Sequence, residues 1–283
     1  MAMERRAYAL RLWYDGGAFR GFQRQPGMPT VQEALEGALQ RALPRPVGTA
    51  AGPRRPRRDG GPPALAVAAR TDAGVHALGQ VVSFSVRAAL APEALRRDLN
   101  AALPEGIAVL DAWAAPSGFH ARGTATARTY VYLVGCEVPL GLQPYAWTLP
   151  DARAFPDLAS PAIDPAALRA ALAPAVGEHD FAGFARPGEQ RGTVRTLLRA
   201  EVISATWGPL HAIVLTGKGF LRAMVRNLVG TAVTAALGLA PPDHLRALLR
   251  ARDRYRGVRA PGWGLTLAGV SYPPEVGPRW PTL

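Results

Sequence analysis

The chain predicts an α+β protein of two related halves, each an antiparallel sheet covered by helices on one face in the ferredoxin-like βαββαβ order. Three observations predict it. Short alternating stretches of strand length are interleaved with longer stretches whose apolar residues recur at helical spacing. The order of these stretches recurs in the second half, with one helix added. At 283 residues and 48% hydrophobic composition, the chain can bury a real core in one or two domains. Sequence identity between the halves is not evident, so the repeat rests on element order alone.

In the first half, Tyr8 to Tyr14 alternates as a strand. Thr30 to Leu43 carries Val31, Leu35, Ala38, Leu39 and Ala42 on a helical period, with Thr30 and Glu33 as a capping box and Pro44 as its stop. Leu65 to Ala69 and Val81 to Val86 read as strands, Pro92 to Leu103 as a helix, and Ile107 to Trp113 as a strand. In the second half, Ala127 to Val134 is a strand and Asp164-Pro165 opens a helix to Val176. Leu197 to Ser204 and His211 to Thr216 follow as strands, and Phe220 to Leu237 as a helix closed by Gly238. Pro242 to Arg252 is the added helix, before a last strand from Leu265 to Ser271. A border near Pro116-Ser117-Gly118 divides the chain into domains 1–116 and 117–283. Between them in character stand two irregular stretches. Residues 45–63 combine glycines, prolines and the cluster Arg54-Arg55-Pro56-Arg57-Arg58, which predicts a mobile basic loop that either touches phosphate groups of a partner or is merely solvated. Pro139 to Pro161 is a second, less charged connection.

The most informative run is Ala69-Arg70-Thr71-Asp72-Ala73-Gly74-Val75-His76-Ala77-Leu78-Gly79-Gln80. It sets one carboxylate between an arginine and a glycine-bearing turn, with strand-like sequence on both sides. For an isolated Thr-Asp-Ala-Gly the better reading is an Asp capping its own turn. The whole run, however, closely resembles the catalytic segment of the tRNA pseudouridine synthase A (TruA) family, with Ala69 in place of that segment's first glycine. Tyr14-Asp15-Gly16 and Gly21-Phe22-Gln23-Arg24-Gln25 resemble the same family's opening motif, with Phe22 at its tryptophan, and Thr30-Val31-Gln32-Glu33 follows as in the family. Phe119-His120-Ala121-Arg122 and Ala125 to Tyr132 resemble its second motif, which puts Tyr130 at the active-site tyrosine. Phe220, Met224, Val225, Arg226, Asn227 and Gly230 resemble its third, and Gly264-Leu265 through Val270-Tyr272 its closing strand. Ala185 departs, standing where an arginine commonly follows the second phenylalanine of Phe181-Ala182-Gly183-Phe184.

The resemblance implies the pseudouridine synthase fold, with two domains whose sheets meet and a basic cleft between them that carries the Asp loop. It also implies isomerisation of uridine to pseudouridine in the anticodon stem-loop of tRNA, and a homodimer. That reaction cuts the bond from ribose C1′ to uracil N1 and rejoins C1′ to C5 with no net redox change, so no cofactor is expected. An ionised carboxylate suits it as a nucleophile, as an electrostatic stabiliser or as a base, and Asp72 fits each. Attack at C1′, addition to C6 and a glycal route stay open. A buried carboxylate stays ionised beside a cation, and Arg226, on the rim of the Phe220 to Leu237 helix, is the candidate. Tyr130 is expected to stack on the extruded uracil and to help move the C5 proton; without the resemblance it reads as strand packing, as Tyr132 does.

Thirty-three Lys+Arg against 21 Asp+Glu give a net charge of +12, the footprint of a protein that neutralises phosphates. Lys218 is the one lysine, which reflects codon usage more than function. Arg70 is expected to fill the space left by a flipped nucleotide or to contact its phosphates, with a salt bridge inside the turn as the alternative. Arg24, Arg122, Arg195, Lys218 and Arg222 are the other expected RNA contacts; an amphipathic helix's solvated face is the bland reading of Arg222. His76, His120 and Arg122 match motif positions without an evident chemical duty.

The five histidines show no paired spacing for metal, and Glu178-His179-Asp180 reads as a turn and helix-end cluster, so no metal is expected. Gly217-Lys218-Gly219 lacks the rest of a phosphate loop. A single cysteine, Cys136, allows no intrachain disulfide and fits a reducing cytoplasm. The most apolar stretch, Leu228 to Ala240, is too short to span a bilayer, and no signal peptide is apparent, so no membrane is expected. Two function classes remain. One is a TruA-like isomerase, favoured by the Asp72, Tyr130 and Arg226 set; the other is a basic RNA-binding protein or RNA chaperone of the same fold without turnover.

Overall fold

The structure, a computed structural model, describes residues 5–43, 62–151, 153–158, 163–185, 192–206, 208–251, 255 and 257–277. Apart from Pro62 and Pro63, the basic insertion expected at 45–63 lies outside these residues. The chain divides into two compact units, Met1–Thr126 with Val270–Leu283, and Ala127–Gly269. The division therefore falls after Thr126 and not at 116/117. Residues 117–126 belong with the first unit because Phe119 packs on Trp113 and Tyr272, and Ala121 N–H donates to Ser83 Oγ at 3.0 Å.

The first unit runs β1 (Arg6–Tyr14), α1 (Val31–Ala42), β2 (Ala66–Val67), β3 (His76–Val86), α2 (Pro92–Ala102) and β4 (Ile107–Ala115). Its strands lie in the order β4-β1-β3 with β2 on β3, every pair antiparallel, which is the ferredoxin-like arrangement. Thr30 Oγ1 caps α1 by accepting from Glu33 N–H at 3.4 Å, and Leu35, Ala38 and Leu39 are buried, as the period predicts. The Glu33 carboxylate faces Arg24 at 3.6 Å. Strand β3 begins at His76, five residues before the apolar run that predicted it, because the end of β1 supplies a partner: Tyr14 pairs with Ala77. Between Leu12, opposite Gln80, and Tyr14, opposite Ala77, the ladder slips by a bulge.

The second unit runs β5 (Ala127–Gly135), β6 (Trp147–Thr148), α3 (Pro165–Leu172), β7 (Gly177–Asp180), β8 (Val194–Ser204), β9 (Leu210–Gly217), α4 (Met224–Ala236), α5 (His244–Arg250) and β10 (Leu265–Ser271), whose last two residues are counted with the first unit. The path β10-β5-β9-β8 repeats the first unit's topology, extended by β7 on β8 and by β6, parallel to β5. The repeat read from element order is thus a repeat of strand arrangement. Glu178-His179-Asp180 is part of edge strand β7, not a turn cluster. Helix α3 stops at Leu172, short of the expected Val176, and passes into a 3-10 turn containing Pro174, whose ring nitrogen cannot donate to an α-helical carbonyl. The α5 helix ends at Arg250; Arg252, its expected end, lies outside the described residues.

Helix α4 begins at Met224, not at Phe220. Lys218 N–H is held by Thr196 O at 3.1 Å, and Ala223 takes a left-handed φ of 63°, a conformation through which a right-handed helix cannot run. The segment ending at Val258 passes so close to α4 that a Cβ on Gly230 would lie 1.8 Å from the Val258 carbonyl oxygen. Among the described residues, no helix is long and apolar enough to cross a membrane.

Gly230→Ala is expected to force main chain apart and to cost about 3 kcal/mol or more in a denaturant titration. Gly141→Ala, with nothing within 4 Å of its added carbon, should be close to neutral in the same titration.

Candidate active site

In the first unit the Asp72 turn joins β2 to β3. Its own side chains are small, so its shape comes from contacts with the segment that follows β1. Phe22 N–H donates to Thr71 O at 3.0 Å, and Val75 N–H closes the turn on Asp72 O at 3.2 Å. Gly74 has φ of 77° and Gly21 φ of 96°. A Cβ on Gly21 would sit 3.0 Å from Thr71 O, and one on Gly16 only 2.3 Å from Val75 O. Two glycines thus let one stretch of main chain lie directly against the other. The half-buried Asp72 stands between these points of support.

Side chains sequence reading passed over complete the support. Buried Tyr14 places its hydroxyl 2.8 Å from Thr71 Oγ1, and buried Gln80 donates to that hydroxyl at 3.2 Å and to Ala69 O at 2.6 Å. The available signal was Gln80 itself, a polar residue at the head of the apolar run Val81-Val82. His76 is buried where β3 starts. Gly16 N–H points to its Nδ1 at 3.0 Å, and Asp15 Oδ1 lies 3.1 Å from the same nitrogen. The two contacts need opposite protonation of Nδ1. The backbone fixes the amide direction, and Asp15 Oδ1 already accepts from Gly17 N–H at 2.8 Å, so Nδ1 is better read as the acceptor.

Tyr130 and Arg226 belong to the second unit. Tyr130, on β5, is buried with its ring edge-on to Phe220 at 5.3 Å. Arg226 lies in the first turn of α4, where Nε donates to Ala260 O at 2.7 Å and Ala260 N–H returns a bond to Arg226 O at 3.2 Å. Its charge also acts on Tyr132, whose hydroxyl donates to Pro261 O at 3.0 Å. The structure therefore sets Tyr130 against Phe220 and Tyr132 within the field of Arg226. Buried Arg128, which sequence reading did not single out, donates to Lys218 O at 2.8 Å and so shapes the turn before α4.

The expected RNA contacts differ in how far their charge is already engaged. Arg70, Arg122, Lys218 and Arg222 are exposed. Arg24 is exposed too, but its guanidinium faces Glu33 at 3.6 Å and Glu36 at 3.5 Å, so it ties its own segment to α1. Arg195 folds back onto Gly192 O at 2.7 Å and Val194 O at 2.6 Å. Among the described residues, no group of three His, Cys, Asp or Glu side chains could hold a metal ion.

Burial pushes the Tyr14 phenol up to about 12, against weaker opposite effects of its bonds to Thr71 and Gln80. Burial also raises Tyr132, well above 10 despite the opposing Arg226 charge, and Tyr255, despite Thr231 and Arg259. A raised phenol keeps its proton in the folded state while the unfolded chain loses it near the ordinary value of 10.0. Its contribution to stability is whole below that pH and declines as pH climbs toward about 12. A tyrosinate absorbance titration should therefore show a late class of phenols that ionises only as the protein unfolds; ordinary titration of all seven tyrosines would contradict the burial described.

A family model described as tRNA pseudouridine synthase matches residues 13–122 and 171–273. The tRNA pseudouridine synthase A of Frankia casuarinae is 39% identical over 273 residues, spanning 94% of this chain and 89% of its own length. That of Methylacidiphilum infernorum is 36% identical over 275 residues, with 95% and 96% covered, and that of Neisseria gonorrhoeae 37% over 292 residues, with 98% of each. Among solved structures, a chain from "Crystal Structure of a Cbf5-Nop10-Gar1 Complex" aligns over 61% of this chain and 37% of its own, at 11% identity and a TM-score of 0.26, too slight a likeness to build on. With the motif residues carried on a backbone built to hold one aspartate, and relatives matching from end to end, the chain belongs to the tRNA pseudouridine synthase family.

Proposed function

We propose that this enzyme isomerises uridine to pseudouridine in the anticodon stem-loop of tRNA, with Asp72 acting on the ribose of the target nucleotide. Family membership supports the reaction class; the observation that carries the residue assignment is the Asp72 turn, braced through Thr71 and Val75 by main chain that only glycine permits at Gly16 and Gly21. In the reaction, the C1′–N1 bond breaks, C1′ bonds to C5, and the C5 proton is lost while N1 gains one. An ionised carboxylate serves the electron-poor sugar carbon, and Arg226 keeps that carboxylate charged and oriented. Tyr130 offers its ring to the uracil and its hydroxyl to the C5 proton transfer. Arg70, Arg122, Lys218 and Arg222 contribute phosphate contacts, and Arg24 and Arg195 contribute through the segments they hold. The substrate and the single cysteine support a cytoplasmic setting, which cell fractionation would check.

Asp72→Asn keeps the side chain's shape and removes its charge. Release of tritium from C5-labelled uridine in tRNA is expected to fall by more than about a thousandfold, with tRNA affinity and folding retained. Appreciable turnover by this variant would end Asp72's role.

For Arg226, a structure with substrate is expected to place the guanidinium within about 4 Å of the Asp72 carboxylate, the range in which an opposite charge favours ionisation. Arg226→Lys should still lose most activity, because a point charge does not replace a planar fork. An Arg226 turned to solvent in that complex would contradict the pairing.

We also infer a homodimer, carried by the family resemblance, in which a second subunit would extend the positive track along an anticodon arm gripped at a distance from the reacting nucleotide. Light scattering at working concentration tests it. A monomer fully active on tRNA would rule it out.

A further inference from the structure

The β2–β3 ladder ends at Ala68, whose N–H donates to Val81 O at 2.9 Å. One residue later the main chain's partner is a side chain. Gln80 Nε2 donates to Ala69 O at 2.6 Å, and Gln80 Oε1 accepts from Ala69 N–H at 3.3 Å and from Val81 N–H at 3.2 Å. A primary amide satisfies both polar groups of Ala69 as a strand residue would, which frees the chain to leave the ladder at Arg70 without a buried unpaired amide. These contacts also settle which end of the amide is nitrogen.

The second hydrogen on Nε2 goes to the Tyr14 hydroxyl at 3.2 Å. An amide nitrogen only donates, so the Tyr14 oxygen accepts there; the bond to Thr71 Oγ1 at 2.8 Å could run either way by distance alone, but the buried phenol must place its own proton on an acceptor, and Thr71 Oγ1 is the one beside it. Bonds run in one direction, from Gln80 through Tyr14 to Thr71, the residue before Asp72. All three side chains are buried, away from water that would compete for these bonds.

We propose that Gln80, Tyr14 and Thr71 are positioning residues for Asp72: this one-way chain of hydrogen bonds sets the direction in which Asp72 leaves the turn, and so the approach of its carboxylate to the ribose. The inference rests on the synthase reading above and adds to it three residues that act through the turn carrying Asp72. A misplacement of about 1 Å costs about a hundredfold in rate, so a lost bond in the chain shows in catalysis before it shows in binding.

The test compares Thr71→Val, which keeps the shape and loses the oxygen, with Thr71→Ser, which keeps the oxygen, and adds Tyr14→Phe. Thr71→Val and Tyr14→Phe are expected to lower kcat about a hundredfold with KM for tRNA unchanged, and Thr71→Ser to restore most of the kcat that Thr71→Val loses. If Tyr14→Phe does not fold, the Thr71 pair decides by itself. Thr71→Val turning over at the wild-type kcat, or a raised KM with kcat unchanged, overturns the inference while leaving the synthase reading intact. Wild-type protein that forms no pseudouridine on unmodified tRNA refutes the synthase reading and this role with it.

Discussion

Two main chains that touch without side chains between them are the constraint on which the first unit's site depends. Gly16 lies against the Gly74–Val75 peptide and Gly21 against the Thr71–Ala73 backbone, at distances where an added carbon would meet main-chain atoms. Backbone has no rotamers, so a loop supported in this way keeps its shape, with its buried Thr71 and Val75 side chains adding to that support. The cost is that Gly21 and Gly74 must hold positive φ, which glycine does without the steric penalty of a larger residue. The bulge between β1 and β3 belongs to the same arrangement. It brings Tyr14 opposite Ala77 and lets the strand end where the turn needs a hydroxyl.

The second unit solves a different problem. A cation in the first turn of a helix is opposed by the helix dipole, by roughly 0.3–1 kcal/mol at an exposed site, and Arg226 stands there. Its two-way bonding with Ala260 holds it in place, and Tyr255, which reaches both Asn227 O at 3.1 Å and Val258 O at 2.7 Å, ties the same stretch of chain to α4. Ala223, in a left-handed conformation immediately before the helix, is the one non-glycine residue with positive φ among the described residues. Strain of that kind persists where surrounding structure over-determines it, and here it fixes the turn at which α4 starts and thus where Arg226 projects.

The net charge of +12 takes on a different meaning once partners are visible. Several arginines are spoken for: Arg96 by Glu93, Arg199 by Glu201, Arg24 by two carboxylates of α1, and Arg11 by Asp111 at 2.8 Å. Exposed pairs of this kind contribute little to stability, but they decide which cations are left to meet phosphate. Residue type cannot show this, because a surface arginine and an RNA-binding arginine look alike in a sequence.

Much of the element order was legible, because apolar periodicity records which face of a strand or helix is buried, and every strand and helix read from it exists within a few residues. The misplaced boundaries have more than one cause. The early end of α3 before Pro174 and the start of α4 after left-handed Ala223 are local, whereas β3 starts at His76 because β1 supplies a partner there, and β7 forms although Glu178-His179-Asp180 has no strand-like pattern, because β8 offers an edge. Such partners are remote in sequence. Asp72, Tyr130 and Arg226 could be proposed from motifs, since chemistry restricts residue type at a reacting position. Gln80 and Tyr14 could not, for a buried glutamine and a strand tyrosine have no chemical signature until their hydrogen-bond partners are known. By itself the sequence determined the element order, the basic charge and the family motifs, because these follow from local pattern and residue chemistry. Only the tertiary structure decided where strands end, which arginines are already paired and what holds the Asp72 turn, because each depends on which atoms the folded backbone brings within bonding distance, as it does Tyr14 and Thr71 across a separation of 57.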